Sequence, residues 1–229
     1  MKNIAIIAAA GSGTRLGSAL PKQYHTMNSI MILDYALETF INNPAIDAVQ
    51  VVISKEHLPY YKQSKFISHP KLMDVILGGA RRQDSVFNAL QAIKGTLPSN
   101  VLIHDAARPF VTTKLITDVL TQLTTYEAVD IALSVPDTIK THDAFTVVNR
   151  DDVYLTQTPQ GFRYNAIFKA YQQYSTPEAT YTDDIAVGLK ADLKTTTIPG
   201  DRTNFKITTV DDMEIAQKLL NPSLPVYRT

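Results

Sequence analysis

Apolar residues run almost without interruption from Ile4 to Ala9, a pattern that predicts a strand covered on both faces. Between Ile30 and Ile41 the spacing changes, and Ile32, Leu33, Ala36, Leu37 and Phe40 recur at helical intervals. Ala48 to Ile53 reads as a second buried strand, and Val75 to Leu77 as a short third one closed by Gly78-Gly79. Ser85 to Ile93 has helical spacing through Val86, Ala89, Leu90 and Ile93. Val101 to His104 is a fourth strand, Thr113 to Leu123 a helix, and Ile131 to Val135 a fifth strand. Strands alternating with helices predict an α/β fold: a mostly parallel sheet with helices on both faces.

The alternation breaks near Pro136. Thr138 to Thr141 and Thr146 to Asn149 read as two short polar strands joined by His142-Asp143-Ala144. So small a hairpin has little apolar face and is marginal alone. It is expected to project as a β-arm, about residues 137–153, steadied by a second copy of the chain. Beyond it, Tyr164 to Tyr174 is a helix, and Thr182-Asp183-Asp184 is a capped start to another that reaches Lys190. Thr195 to Pro199 and Asn204 to Ile207 read as short strands. Thr209 to Leu220 closes the chain as a helix with Asp211 and Asp212 in its first turn. With no repeat or long linker, residues 1–229 are expected to form one domain carrying one extension.

Composition narrows the function classes. The 22 basic and 22 acidic residues cancel, so no global field favours nucleic acid or an anionic membrane. Cysteine is absent, which removes disulfide and thiolate chemistry and suits a reducing compartment. The apolar N-terminus resembles a signal peptide but runs straight into Gly11-Ser12-Gly13-Thr14-Arg15, so a first strand is the better reading. No apolar stretch approaches the roughly 20 residues of a membrane helix. A soluble, cytoplasmic protein is expected.

The chemistry concentrates at strand ends. Ala9-Ala10-Gly11-Ser12-Gly13-Thr14-Arg15-Leu16-Gly17, followed by Pro21-Lys22-Gln23, lets backbone N–H groups approach an anion closely. The dinucleotide pattern G-x-G-x-x-G fails because Leu16 stands where its third glycine belongs, and no G-K-[ST] follows for a Walker loop. The loop is of another type, with Arg15 and Lys22 as cations able to offset a triphosphate. His104-Asp105-Ala106-Ala107-Arg108 ends the fourth strand, where open α/β sheets bind ligands. Asp105 suits Mg²⁺ or a ribose hydroxyl, and the alanines leave room for a nucleotide. Arg108 either faces the ligand or pairs with Asp105 or a neighbouring carboxylate, and His104 is expected to be a satisfied strand-end residue. Gly78 to Ser85 offers either a base- and ribose-reading loop or a plain strand-to-helix turn. Thr138, Arg150, Thr158-Pro159-Gln160 and Lys206, taken one at a time, favour a surface role.

Taken together and in order, AAAGSGTRLG…PKQY, GGARRQDSV, IHDAARPF, DTIK, RDDVYLTQTPQGF, TDD and NFKITT resemble one family, the 2-C-methyl-D-erythritol 4-phosphate cytidylyltransferases of the non-mevalonate isoprenoid pathway. The matching stretches span about Ala8 to Met213. The resemblance implies a Rossmann-like domain whose β-arm clasps a second subunit, and transfer of CMP from CTP to the polyol phosphate. It implies that Ala9, Ala10, Gly11 and Gly13 wrap CTP, and that Arg15 and Lys22 neutralise the triphosphate and the transition state. Gly79, Ser85, Asp105 and Ala107 match positions around cytosine and ribose, with Arg108 beside them. Thr138, Arg150, Thr158 and Lys206 match the acceptor site, Arg150 reaching the neighbouring subunit's site and Lys206 approaching the α-phosphate. The implied catalytic set is therefore Arg15, Lys22, Arg150 and Lys206. Mg²⁺ is the implied cofactor, held mainly by CTP phosphates with Asp105 as a candidate ligand. Ala80 departs from relatives with Asp beside the base. Ribitol 5-phosphate cytidylyltransferases share most of these motifs, although HDAARPF, TPQGF and NFKITT are closer to the isoprenoid family. A nicotinamide-dependent oxidoreductase and a non-catalytic nucleotide-binding module are the remaining alternatives; the misplaced glycine opposes the first and the array of cations the second.

Overall fold

The computed structural model describes residues 2–11, 13, 20–142, 145–176 and 178–221. β1 (Asn3–Ala9) opens the chain. The short pair β2 (Thr26–Met27) and β3 (Ile30–Met31) leads into α1 (Ile32–Asn42), β4 (Ala48–Ile53), the single turn α2 (Leu58–Tyr61) and β5 (Ile76–Leu77). Then come α3 (Arg82–Ile93), β6 (Asn100–Asp105), α4 (Thr113–Gln122), β7 (Ala128–Ser134), β8 (Ile139–Lys140) and β9 (Val147–Val148). β10 (Tyr154–Arg163), α5 (Tyr164–Tyr174), α6 (Asp184–Lys190), β11 (Thr195–Pro199) and α7 (Val210–Leu220) complete the order.

Seven strands form the central sheet in the order β11-β7-β10-β6-β1-β4-β5. Every strand but β10 runs the same way. Strand alternation splits each buried strand between two cores. Ala5, Ile7 and Ala9 of β1 pack with Leu33, Leu37 and Phe40 of α1 and with Leu115, Ile116 and Val119 of α4. Ile4 and Ile6 pack on the other face with α3, α5 and α6, among them Leu90, Ile167 and Ile185. Burial on both faces explains why β1 carries no polar alternation. α7 closes a smaller cluster, Met27, Ile32, Ile207 and Ala216. Thr209 caps it: its hydroxyl accepts from the Asp212 N–H at 3.2 Å, and Asp212 accepts in return from the Thr209 N–H at 2.8 Å.

The structure differs from the sequence reading in three places. β10 is a central strand that the apolar pattern does not reveal. Its run, Tyr154-Leu155-Thr156-Gln157-Thr158-Pro159-Gln160-Gly161-Phe162-Arg163, is rich in polar groups, and the register slips between Gln157 and Gly161. Proline is tolerated at such an irregularity because no ladder donor is needed there. β7 begins at Ala128, three residues before the expected strand; buried Asp130 interrupts the apolar run but is satisfied by Thr156 Oγ1 at 2.6 Å and Gln160 Nε2 at 3.0 Å. Asn204 to Ile207 is not a strand. Its backbone is fixed instead by the Ile207 N–H to the Ala107 carbonyl (2.8 Å) and the Asn204 side chain to the Thr158 carbonyl (2.9 Å).

The expected hairpin is present. Ile139 pairs with Val148 and Lys140 with Val147, as a separate two-stranded sheet. Asp143 and Ala144 of its turn lie outside the described residues. Among the described residues no helix is long and apolar enough to cross a membrane.

Candidate active site

The carboxyl ends of β1, β4, β5 and β6 meet around a cavity of about 530 Å³. The loop after β1 supplies Ala10, Gly11 and Gly13. Gly13 has φ +66°, and a Cβ there would stand 2.7 Å from the Lys22 amide nitrogen, so only glycine lets the loop close on the turn that carries Lys22. Gln23, buried in that turn, donates through Nε2 to the carbonyls of Ala9 (2.7 Å) and Gly11 (2.9 Å), and Ser54 Oγ donates to the Ala10 carbonyl (2.6 Å). With these acceptors taken by the protein, the loop favours an anion in front of it.

Opposite stands the loop after β5. The Gly79 N–H donates to Ser85 Oγ at 3.1 Å, and that hydroxyl donates to the Arg81 carbonyl at 3.1 Å. Ser85 thus shapes the strand-to-helix turn and also lines the cavity. The strand-to-helix turn expected of this segment is present, and Gly79 and Ser85 face the cavity from it. Arg81 is drawn back by Asp84 (2.6 Å) and by the Ala179 carbonyl (2.8 Å).

Asp105, at the end of β6, is the electrostatic centre and the one carboxylate among the described lining residues. Lys206 Nζ lies 2.8 Å from Oδ2, Arg82 Nη2 3.4 Å from Oδ1, and Arg108 Nε 3.9 Å from Oδ2. Burial alone would raise its pKa, but the charges of Arg82, Lys206 and Arg108, with the Lys206 hydrogen bond, hold it well below the usual carboxylate range. Its neighbour His104 is fully buried. Nε2–H donates to the Arg108 carbonyl (3.0 Å), while Nδ1 accepts from Thr158 Oγ1 (3.1 Å), whose oxygen accepts the Asp105 N–H (3.1 Å). Burial pushes His104 down to about 4, so it is neutral near pH 7 and acts as a strut. Lys22, Arg81, Arg82 and Lys206 outnumber the single Asp105 around the cavity, a balance that suits a polyanion. Among the described residues no three His, Asp or Glu side chains gather as a metal site. One ionised carboxylate in a cavity otherwise lined by cations does fit a Mg²⁺ that would be held chiefly by substrate phosphates.

The family model for 2-C-methyl-D-erythritol 4-phosphate cytidylyltransferase (IspD) matches residues 3–222. The chain belongs to this family. A 2-C-methyl-D-erythritol 4-phosphate cytidylyltransferase of Thermotoga neapolitana is 35% identical over 217 residues, covering 94% of this chain and 95% of that protein. One from Neorickettsia sennetsu is 38% identical over 224 residues, covering 95% and 97%. Among solved structures, the 4-diphosphocytidyl-2C-methyl-D-erythritol synthase of Anaerococcus prevotii superposes with a TM-score of 0.83 at 31% identity, covering 96% of this chain and 98% of that one. The Francisella tularensis cytidylyltransferase gives 0.80 at 33%, covering 94% and 98%.

Within this cytidylyltransferase fold the sequence-predicted residues fall into three groups. Ala9, Ala10, Gly11, Gly13, Lys22, Gly79, Ser85, Asp105, Ala107 and Lys206 line one cavity. Arg108 and Thr158 stand behind its wall: Arg108 donates to the Asn204 carbonyl at 2.9 Å, and the Thr158 hydroxyl is engaged by His104 and Asp105. Thr138 and Arg150 are exposed on the hairpin, where Arg150 Nη1 donates to the Pro136 carbonyl at 3.1 Å. Arg15 lies outside the described residues. The surface role favoured for Thr158 and Gln160 is overturned: both are buried, at 4% and 0% exposure, because they belong to β10. Residue-by-residue reading missed Gln23 and Arg82. Gln23 follows Lys22 in the motif, but its role depends on carbonyls 12 and 14 positions away. Arg82 sits inside GGARRQDSV, yet its closest carboxylate, Asp184, is 102 positions distant.

Proposed function

We propose that this chain transfers CMP from CTP to 2-C-methyl-D-erythritol 4-phosphate, giving 4-diphosphocytidyl-2-C-methyl-D-erythritol and pyrophosphate. The observation that carries the reading is the cavity that gathers the glycine loop, Lys22, Asp105 and Lys206 at the strand ends of a chain matching this family over residues 3–222. An oxygen of the acceptor's phosphate forms a bond to the α-phosphorus of CTP as the bond to the β-phosphate oxygen breaks. The attacking group is already ionised near neutral pH, so no strong base is required. That matches a wall rich in cations, with a neutral, buried His104 behind it. Lys22 and Lys206 hold the triphosphate and offset charge that develops in the transition state, and Arg15 is assigned to the same task. Gly79, Ser85, Asp105 and Ala107 take the base and ribose, while Ala9 to Gly13 wrap the phosphates. A divalent cation, Mg²⁺ by preference, would neutralise the phosphates, with Asp105 as its protein ligand if one is used. Thr138 and Arg150, exposed and away from the cavity, are assigned to the acceptor site of a second subunit in a homodimer built through the hairpin. A cytoplasmic setting agrees with the absence of cysteine.

Pyrophosphate release decides the assignment. With CTP and methylerythritol phosphate the enzyme is expected to turn over; with ribitol 5-phosphate, or with ATP, GTP or UTP, the rate is expected to be lower by at least about 10²-fold. Equal or greater use of ribitol 5-phosphate would move the chain to the other acceptor. CTP binding without pyrophosphate would leave a binding module.

A further inference from the structure

Behind the cavity wall a chain of polar groups runs from α5 to Lys206. The Tyr171 hydroxyl donates to Oδ1 of Asp184 at 2.5 Å, and Arg82 Nη2 donates to Oδ2 of the same carboxylate at 2.8 Å. Arg82 then reaches Oδ1 of Asp105 at 3.4 Å, while Oδ2 of Asp105 accepts Lys206 Nζ at 2.8 Å. Tyr171 and Asp184 are 1% and 0% exposed, and neither lines the cavity. Asp184 is anchored through its own backbone, whose N–H donates to Gln160 Oε1 at 3.0 Å.

The distances decide what this arrangement does. Arg82 lines the cavity but is nearer Asp184 than Asp105, so the buried carboxylate takes the closer of its two ion pairs. Asp105 therefore keeps its closest bond to Lys206, at 2.8 Å, and a longer one to Arg82, at 3.4 Å. Buried ion pairs add little net stability over apolar packing, so the consequence of the chain is geometric. We propose that Asp184 and Tyr171 are positioning residues: by holding Arg82 from behind, they set Asp105 and, through it, Lys206. The inference rests on the cavity being the CTP site. Without the Asp184 charge, Arg82 has one carboxylate left, closes on Asp105 and displaces Lys206.

A double-mutant cycle on the full chain tests it, with kcat/KM read from pyrophosphate release. Asp184→Asn is expected to lower kcat/KM about 30-fold in the wild-type background and less than about threefold in Lys206→Ala, because its effect passes through Lys206. Tyr171→Phe should show the same dependence with a loss of about fivefold, and it carries the test if Asp184→Asn does not fold. Asp184→Glu should restore part of the rate. Equal losses in the two backgrounds, or wild-type turnover by both variants, would overturn the inference and leave the CTP reading intact. A wild-type chain that neither binds CTP nor releases pyrophosphate would overturn both.

Discussion

The two ends of the proposed site differ in how much of their geometry this chain supplies. Around the cavity, key polar side chains are held by groups of the same chain: Asp105 by Lys206 and Arg82, Gln23 by two loop carbonyls, His104 by Thr158 and Arg108. In the hairpin, strands of two residues carry the structure, and the Arg150 side chain is held by a hydrogen bond from Nη1 to the Pro136 carbonyl. Phe145 is 79% and Val147 61% exposed. The proposed second subunit would cover these two apolar groups. The cavity is preorganised within one subunit; the hairpin residues are proposed to act in another subunit's site.

The largest effect expected from this contrast lies in the cavity. Lys22→Ala should lower kcat by about 10³-fold with the fold retained, which steady-state kinetics and circular dichroism check together. Near-normal turnover would remove Lys22 from its role. Arg150→Ala should also be impaired, but for a reason that mixing exposes. When the two inactive variants are unfolded together and refolded, half the dimers are mixed, and in each of these one site pairs an intact cavity with an intact arm. Recovery of roughly a quarter of wild-type activity is expected. No recovery would place Arg150 in its own subunit's site.

The cavity end should also respond to acid through His104. Its folded pKa, about 4, lies below the roughly 6.5 of an unfolded histidine, so between these values the unfolded chain holds a proton that the folded chain does not. Unfolding is then favoured as pH falls, by about 3 kcal/mol across that window. Asp105, also held low, adds to the loss at still lower pH. Urea melts at pH 7 and pH 4.5 measure this, and His104→Gln should remove most of the His104 share. The smallest effects separate core from hairpin. A Cβ at Gly161 would collide with the Val119 side chain, so Gly161→Ala should cost about 1–3 kcal/mol of stability. Phe145→Ser should change the stability of the single chain by less than about 0.5 kcal/mol while weakening self-association, which sedimentation detects.

The sequence was most legible where one physical rule acts over a few neighbouring residues. The apolar run of β1 predicts a doubly covered strand, and Asp183 caps α6 by accepting the Ala186 N–H at 2.9 Å. Gly11 and Gly13 mark a tight loop after β1, and Gly13 takes the φ of +66° that the closure on Lys22 requires. β10 was hidden because its buried polar residues satisfy one another only once β6, β7 and α6 are assembled: Gln160 binds Asp130, Asp183 and the Asp184 backbone. Asn204 to Ile207 carries the apolar spacing of a strand, yet its hydrogen-bond partners, Ala107 and Thr158, do not form a ladder with it.

By itself the sequence determined the α/β class, the glycine loop after β1 and the family, because periodicity, glycine placement and ordered motifs are local or linear properties. Tertiary structure alone decided that Asp105 sits among three cations, that Thr158 braces His104, and that Arg82 is divided between Asp105 and Asp184. Those facts depend on distances between residues as much as 102 positions apart, and a side chain's charge and hydrogen bonds are set by the neighbours folding brings to it.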